Sequence, residues 1–397
     1  LDMKDWGGLP EKYNGVSDGG GAERVATNLA SSLAKTENVI LVVEHINNNT
    51  YGSTVETIDL KMPKDKGKLK VFWHLELAKR LKKVKKERNI THCICFLQEA
   101  ALASVLSKCG EKVYVSVRNK LSSELNPILK MKERFTFRHT DCIIALSKMV
   151  REDLIEHFGV KQDKVIAIYN PCYIETIKDK IQGEKLPDDD EQFFINNKGN
   201  IVLTAGRLVD QKGQWHLIRA FSRVINKMPD AKLLILGQGG NKDYLERLIK
   251  DYKLEDSIKL LGYKSNPYIY MVRSDIFAFS SVYEGLGNIL VECMACGLPV
   301  VSADYKYGAK ELLAPDMDLK TEIHEVTYGK YGILVPEMDD KKYEAKDELT
   351  NAEKMLADAI IEMLQNEEQR NDYKQRIMKR AADFDPDKIT QEWLDIL

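Results

Sequence analysis

The feature that most constrains this chain is an alternation that runs through most of its length. Short runs of β-branched and aliphatic residues are separated by stretches whose apolar residues recur at helical spacing. In the first half, residues 39–43, 93–97, 113–117, 142–146 and 165–169 read as strands, with helices expected over 71–88, 100–107 and 148–158. A second series has strands at 201–205, 232–236, 258–261, 276–279 and 300–303, a helix from Gln214, and closing helices over 352–365 and 368–384. Strands parted by helices must be joined by crossovers rather than hairpins, which makes the sheets parallel and covers both their faces. The expectation is an α/β chain of two facing Rossmann-like, doubly wound domains, with a ligand in the cleft at the carboxyl ends of the strands.

The length of 397 residues suits two or three domains. The boundaries expected are an N-terminal domain over 1–175, a linker over 176–199, a second domain over 200–375 and a last helix, 376–397, packing back towards the first domain. The linker is read from its change in character: charged residues, Asp188-Asp189-Asp190, then Asn196-Asn197-Lys198-Gly199. One gap stands out. A helix from about Ala22 follows Gly19-Gly20-Gly21, yet almost no strand signal precedes it, so either the chain is truncated at its start or that strand is supplied in another way.

A net charge of −2 argues against a general nucleic-acid binder. No apolar run is long enough to cross a membrane. Seven cysteines, an odd number and mostly in apolar segments, fit buried reduced thiols of a cytoplasmic protein, and no secretory leader is visible. Cys293 and Cys296 share an apolar helix with no second Cys or His cluster nearby, and read as buried small residues rather than a metal or redox pair.

The densest motif is SSVYEGLGNILVECMACGLPVVSADYKYGAKELL, residues 280–313. A Gly-rich loop enters an apolar helix that Gly297-Leu298-Pro299 ends, and Val300-Val301 opens a buried strand. Glu284 lies in the loop and Glu292 two turns into the helix, among Ile289, Leu290, Val291 and Met294. A carboxylate there is costly unless something hydrogen-bonds to it, as sugar hydroxyls do. The loop also offers backbone N–H groups at a helix N-terminus, which suit a phosphate. A pair of acids at this spacing is, alone, more often a solvated helix residue beside a turn. Here it is joined by Arg207 and Lys212, which one loop can aim together at phosphate oxygens, and no Asp-x-Asp metal cluster accompanies them.

Taken together, GGGAERVATNLASSLAK, GRLVDQKGQWHLIRAF, LLILGQGG, IKLLGY and the 280–313 motif resemble the GT-B glycosyltransferases of family 4. These are retaining, nucleotide-sugar-dependent enzymes of bacterial polysaccharide and glycolipid assembly. The resemblance is dense from 200 to 313 and looser from 19 to 172. It implies that Arg207 and Lys212 hold the donor diphosphate and that Glu292 binds the ribose hydroxyls. It sets Glu284 beside the donor sugar, with Gly287 in the same loop, and offers the amides of Asn288, Ile289 and Leu290 to the phosphates. Gly262, Tyr263 and Lys264 would meet the base, and Gly20 and Gly21 would approach the donor from the other domain. Arg118 and Asn119 stand on the acceptor side, where many members carry a His. Gly308-Ala309-Lys310-Glu311 departs from the family's Gly-Pro-Arg-Glu, so no donor identity follows from it.

The implied activity is transfer of a hexose or N-acetylhexosamine from a nucleotide diphosphate sugar, a UDP-sugar by expectation, to a hydroxyl of a glycan or lipid-linked acceptor. No metal and no other cofactor is expected. Between Lys66 and Arg88 ten basic residues stand against two acidic ones, next to Phe72 and Trp73. That run suggests peripheral docking on the anionic inner face of the cytoplasmic membrane, or else a merely solvated helix face. A same-fold nucleotide-sugar epimerase and a non-catalytic carbohydrate-binding protein stay open. A dinucleotide-dependent oxidoreductase is disfavoured, because Gly237-Gln238-Gly239-Gly240 matches its Gly fingerprint poorly.

Overall fold

Two parallel-stranded α/β units make up the chain in the computed structural model, which describes residues 21–45, 54–63, 70–119, 121–197, 199–305 and 307–397. The first unit is Leu1–Pro171 together with Pro386–Leu397, and the second is Cys172–Asp385.

The first unit opens with α1 (Gly21–Leu33), β1 (Ile40–Val43), β2 (Glu56–Asp59) and α2 (Lys70–Glu87). It continues through β3 (His92–Cys95), α3 (Gln98–Leu106), β4 (Lys112–Val117), α4 (Leu121–Glu124) and α5 (Pro127–His139). β5 (Cys142–Ala145), α6 (Lys148–Phe158) and β6 (Val165–Ala167) complete the series. β3, β4, β5 and β6 pair in that order as one parallel sheet, while β1 and β2 form a separate parallel pair. The helix ends follow local chemistry. Ser147 accepts the Val150 amide at 3.1 Å to cap α6, and Gly159 closes that helix in the left-handed region at φ 68°.

In the second unit, α7 (Ile174–Gly183) and α8 (Asp188–Asn196) precede β7 (Ile201–Ala205), α9 (Gln214–Lys227), β8 (Lys232–Leu236) and α10 (Lys242–Asp251). Then come β9 (Ile258–Gly262), α11 (Tyr268–Met271), β10 (Ile276–Phe279), α12 (Asn288–Ala295) and β11 (Val300–Ala303). The unit ends with α13 (Ala309–Leu313), β12 (Thr327–Tyr328), β13 (Ile333–Val335), α14 (Asn351–Gln365) and α15 (Glu367–Ala381). The last helix, α16 (Pro386–Leu394), belongs to the first unit. The sheet order is β12-β13-β11-β10-β7-β8-β9, parallel except for β12. The chain therefore builds outward from β7 in one direction, returns, and builds outward from β10 in the other. Between β7 and β10 the strand order reverses, which is where an open α/β sheet leaves a crevice at its carboxyl ends.

Two expectations about organisation need revision. Residues 176–199 are not an extended connection: they lie mostly in α7 and α8, which belong to the second unit. Asp190 of α8 accepts the Tyr270 hydroxyl at 2.6 Å and Lys264 Nζ at 3.0 Å, and Asn266 Nδ2 donates to the Lys180 carbonyl of α7 at 2.8 Å. The return to the first unit starts at Pro386 rather than at 376, because 376–381 finish α15. Ile389 and Trp393 of α16 are buried among Val25, Leu29 and Leu33 of α1, and the Trp393 ring lies 6.1 Å from that of Phe96.

The second unit also holds a buried ionic network. Glu353 accepts the Thr350 amide at 2.8 Å while Thr350 Oγ1 accepts the Glu353 amide at 3.2 Å, a reciprocal cap for α14. The same carboxylate meets Arg219 Nε and His216 Nδ1, each at 2.8 Å. The Arg219 guanidinium reaches on to the carbonyls of Glu344 and Glu348 at 2.6 and 2.7 Å, tying that loop to α9.

Candidate functional site

Two loops meet at the point where the strand order reverses. One leaves β7 through Gly206 and Arg207, makes a short 3-10 turn over Asp210–Lys212 and enters α9 at Gly213. The other leaves β10 at Ser280 and runs to Gly287, where α12 begins. β7 and β10 are hydrogen-bonded neighbours, so the loops lie side by side. The Val282 amide donates to the Gln211 carbonyl at 2.9 Å, and Ser280 Oγ donates to the Gly213 carbonyl at 2.9 Å. Gly213 has φ 55°, and a Cβ there would sit 2.4 Å from the Ser280 carbonyl oxygen. Only glycine allows this closeness.

Within this frame, Lys212 Nζ lies 2.5 Å from Glu284 Oε1. Ser281 Oγ is 2.6 Å from the same oxygen, and Gln211 Nε2 is 3.4 Å from Oε2 and donates to the Tyr283 carbonyl at 3.0 Å. The Lys212 ammonium also stands 5.4 Å over the Phe279 ring. The two side chains keep 16% and 10% of their exposure, so the pair is largely sheltered while its edge stays open. Neither charge is isolated, since the Lys212 ammonium already shares its charge with the Glu284 carboxylate. Ser281, Gln211 and Phe279 have no signal in the sequence that separates them from ordinary loop and strand residues.

The remaining sequence candidates fall into three groups. Arg207 lies on the loop of Lys212 but is exposed, its carbonyl accepting Gln214 Nε2 at 2.9 Å. Glu292 sits half-buried in the second turn of α12. The Cys296 thiol one turn later is pushed up to about 12 by burial and by the Glu292 charge. Burial likewise pushes the Cys293 thiol well above its ordinary value, consistent with inert buried sulfurs. At the start of α12, Gly287 takes φ 86°, and a Cβ there would lie 2.2 Å from Tyr305 Oη, which itself donates to the Leu286 carbonyl at 2.9 Å. Asn288 and Ile289 open the helix. The Leu290 amide, by contrast, already donates to the Gly287 carbonyl at 2.9 Å, so it is engaged within the helix rather than offered to a phosphate.

The second group lies at the end of β9, two strands from β7. The Gly262 carbonyl accepts the Gly237 amide at 2.8 Å, and Tyr263 is exposed. Burial works against the Lys264 charge, but hydrogen bonds to Tyr270 and Asp190 outweigh it and hold the ammonium above its ordinary value. Its charge is thus engaged with Asp190 of α8. Lys310 is likewise turned inward, 2.6 Å from Asp304 and 2.8 Å from the Thr321 carbonyl.

The third group belongs to the first unit. Arg118, at the end of β4, hydrogen-bonds Asn170 Oδ1, lies 3.3 Å from Ser116 Oγ and sits 5.6 Å over the Phe96 ring, with Asn119 next in the chain. Burial pulls its guanidinium down to about 10. Gly21 is the first residue of α1, and Gly20 lies outside the described residues.

The basic run also changes on inspection. Lys66 and Lys68 lie outside the described residues. Lys85 is buried, 2.6 Å from Glu111, and donates to Ser107 Oγ and the Ser104 carbonyl at 2.9 Å. Arg80 pairs with Glu76 at 2.7 Å, and Arg88 with Glu56. Trp73 is buried, whereas Val71, Phe72 and Leu75 are exposed on α2, as are Ile128, Met131 and Phe135 on α5. Both helices pack on α3. Among the described residues no helix is long and apolar enough to cross a membrane, and no cluster of three His, Cys, Asp or Glu side chains stands where it could hold a metal ion.

Comparison with known proteins agrees with this architecture. Residues 19–175 match the model of Glycosyltransferase Family 4, and residues 187–322 that of Glycosyl transferases group 1. An uncharacterized glycosyltransferase of Methanocaldococcus jannaschii is 32% identical over 354 residues, covering 83% of this chain and 85% of its own. The N-acetylgalactosamine-N,N'-diacetylbacillosaminyl-diphospho-undecaprenol 4-alpha-N-acetylgalactosaminyltransferase of Campylobacter jejuni is 31% identical over 392 residues, 95% of this chain and 96% of that one. Among solved structures, Anabaena HepE in complex with UDP superposes with a TM-score of 0.71 at 21% identity, covering 95% of this chain and 96% of that one.

Proposed function

From the premise that this chain belongs to glycosyltransferase family 4, we propose that it moves a hexose or N-acetylhexosamine from a UDP-sugar to a hydroxyl of a glycan or lipid-linked acceptor, with retention and without a metal ion. The observation that carries this reading is the Lys212–Glu284 pair, laced between two loops at the strand-order reversal. As the bond to the sugar breaks, negative charge builds on the departing diphosphate. Lys212, Arg207 and the positive end of α12 are the groups that stabilise it. Glu284, released from part of its pairing when phosphate draws Lys212 away, turns its oxygens to the sugar hydroxyls, and Glu292 takes the ribose hydroxyls. A largely sheltered cation acting on developing charge is worth far more than one in bulk water.

The donor choice rests on a relative and a neighbour. The Campylobacter jejuni relative is named for N-acetylgalactosaminyl transfer to a diphospho-undecaprenol acceptor, and HepE is described with UDP. The acceptor is polyprenyl-linked or membrane-borne in this reading, and α2 and α5 rest their exposed Val71, Phe72, Ile128 and Met131 on an anionic bilayer. A screen of UDP-, GDP- and ADP-sugars without added divalent ion, read by release of the free nucleotide, tests the proposal. Turnover of a UDP-sugar that survives a chelator is the expected result. Turnover only with GDP- or ADP-sugars, or only with added metal, would overturn it.

A further inference from the structure

Arg118 carries a charge that its surroundings do not use. It follows β4 directly, and Ser116 lies two positions back on the same face of the strand. In the parallel order β3-β4-β5-β6 the carboxyl ends share one edge, and β5 stands between β4 and β6. The guanidinium crosses that edge to Asn170, which lies beyond the end of β6, and rests on Phe96, the residue that follows β3. Ser116, Asn170 and Phe96 are themselves buried.

Both hydrogen-bonded partners, Ser116 Oγ at 3.3 Å and the Asn170 amide oxygen, are neutral. Among the described residues no carboxylate lies within ion-pair reach of the guanidinium, so burial pulls its charge down with nothing to hold it up. Elsewhere in the first unit cations do find carboxylates: Lys85 meets Glu111, Arg80 meets Glu76 and Lys108 meets Asp141. A structural role would need no charge at 118. Ser116 and Asn170 can accept from a neutral amide as well as from a guanidinium, whereas a sheltered cation without an anion is costly.

Arg118 is half-buried rather than sealed, so an anion can reach it. Its two hydrogen bonds leave the other N–H groups of the fork open to a ligand. Donors on more than one edge of a planar cation suit the tetrahedral oxygens of a phosphate better than the two coplanar oxygens of a carboxylate. α6 begins just after β5, so its positive end lies at the same edge and adds to the attraction.

We propose that Arg118 is a phosphate-binding residue of the first unit, and that its ligand is a phosphate group carried by the acceptor. This builds on glycosyl transfer as proposed above, in which the donor diphosphate belongs to Lys212, Arg207 and α12 of the second unit. Arg118 then selects phosphorylated acceptors over neutral glycans.

The test labels the full chain with phenylglyoxal, which adds to arginine guanidines, and follows each site by mass spectrometry. Methyl phosphate and inorganic pyrophosphate are expected to slow labelling of Arg118 at least about fivefold, as a ligand held well above its dissociation constant does. Labelling of Arg134, exposed on α5, should not change. Sodium chloride at matched ionic strength controls for screening. No slowing by either phosphate overturns the proposal. Equal slowing by glucuronate marks a carboxylate site, and slowing by UDP alone assigns Arg118 to the donor; each overturns it too. Arg118→Gln keeps a neutral donor for Asn170 and is expected to melt no lower than the unaltered chain, since an unpaired sheltered charge is removed. It should also lose the slowing of amide exchange that methyl phosphate gives in β4 and β6, while UDP still slows exchange around α12. A marked drop in melting temperature shows that the charge serves the fold, and phosphate protection that survives the substitution places the anion elsewhere; either overturns the proposal. Should UDP protect nothing around α12, the donor assignment fails, and the labelling of Arg118 still decides whether phosphate binds there.

Discussion

A lysine 2.5 Å from a glutamate is ordinarily a structural contact, and what separates Lys212–Glu284 from one is its surroundings. Both groups hang on loops at the strand-order reversal, and Ser281 and Gln211 also contact the carboxylate, Ser281 on the oxygen that Lys212 meets. Lys212→Ala is expected to lower kcat/KM for the donor by about 100-fold or more, the scale seen when a stabilising donor at developing charge is lost. Lys212→Arg should restore only part of it, because the longer planar fork cannot keep the same approach to Glu284. Titration of the donor reaction in both variants checks this. The residue types at 207, 212, 284 and 292 are legible in the sequence because few other reasons put those charges beside Gly-rich turns. The partnerships are not. In the sequence Lys264 stands with the residues expected at the base and Lys85 within the basic run, and only the fold reveals Asp190 and Glu111 behind them. A buried lysine and a solvated one share the same letter.

At the scale of elements, the start of α12 depends on a glycine, because Gly287 sits at φ 86° against Tyr305. Gly287→Ala places a methyl group against Tyr305 and forces a non-glycine residue into the left-handed region, at a cost of about 2 kcal/mol or more. The variant should melt at lower temperature and bind UDP more weakly, because the helix start is displaced. Combining it with Tyr305→Phe should leave most of the loss in place, since the backbone conformation is unchanged. Calorimetry and UDP titration of both variants check this. Strand and helix positions were largely readable, since the period of apolar residues is local information. The stretch 176–199 was misread because charge and turn signals outweighed a helix start that was present: Pro187 followed by acids at 188–191 favours the N-terminus of α8. The helix forms because Asp190 and Phe194 find partners in the second unit, which no local pattern reports.

For the whole molecule, stability divides along the two units. Removing 386–397 strips Ile389 and Trp393 from the first unit, and each large apolar side chain lost from a core costs about 2–5 kcal/mol. The truncated chain should therefore show a much lower first unfolding transition and an almost unaltered second one. The second unit has its own acid limit. Burial opposes the Glu353 charge, but His216, Arg219 and the Thr350 amide outweigh it and hold its carboxyl below the ordinary 4.5. Its contribution is therefore complete above about pH 4.5 and is lost as the pH falls through the lowered folded value. Glu353→Gln should be less stable at neutral pH by about 3–5 kcal/mol, because a buried partner is removed. Its melting temperature should fall less steeply than that of the unaltered chain between pH 5 and 3. Binding to anionic vesicles through α2 and α5 should weaken sharply between low and high salt, and Phe72→Ser with Met131→Ser should lower what remains. What the sequence determined by itself is the α/β class, the two series of parallel strands and the chemistry of the loop residues, since each is written in local periodicity and residue type. Tertiary structure alone decided which charges are already paired and which unit owns the final helix. Those outcomes depend on contacts between residues tens to hundreds of positions apart, and a linear pattern carries no record of which of them will close.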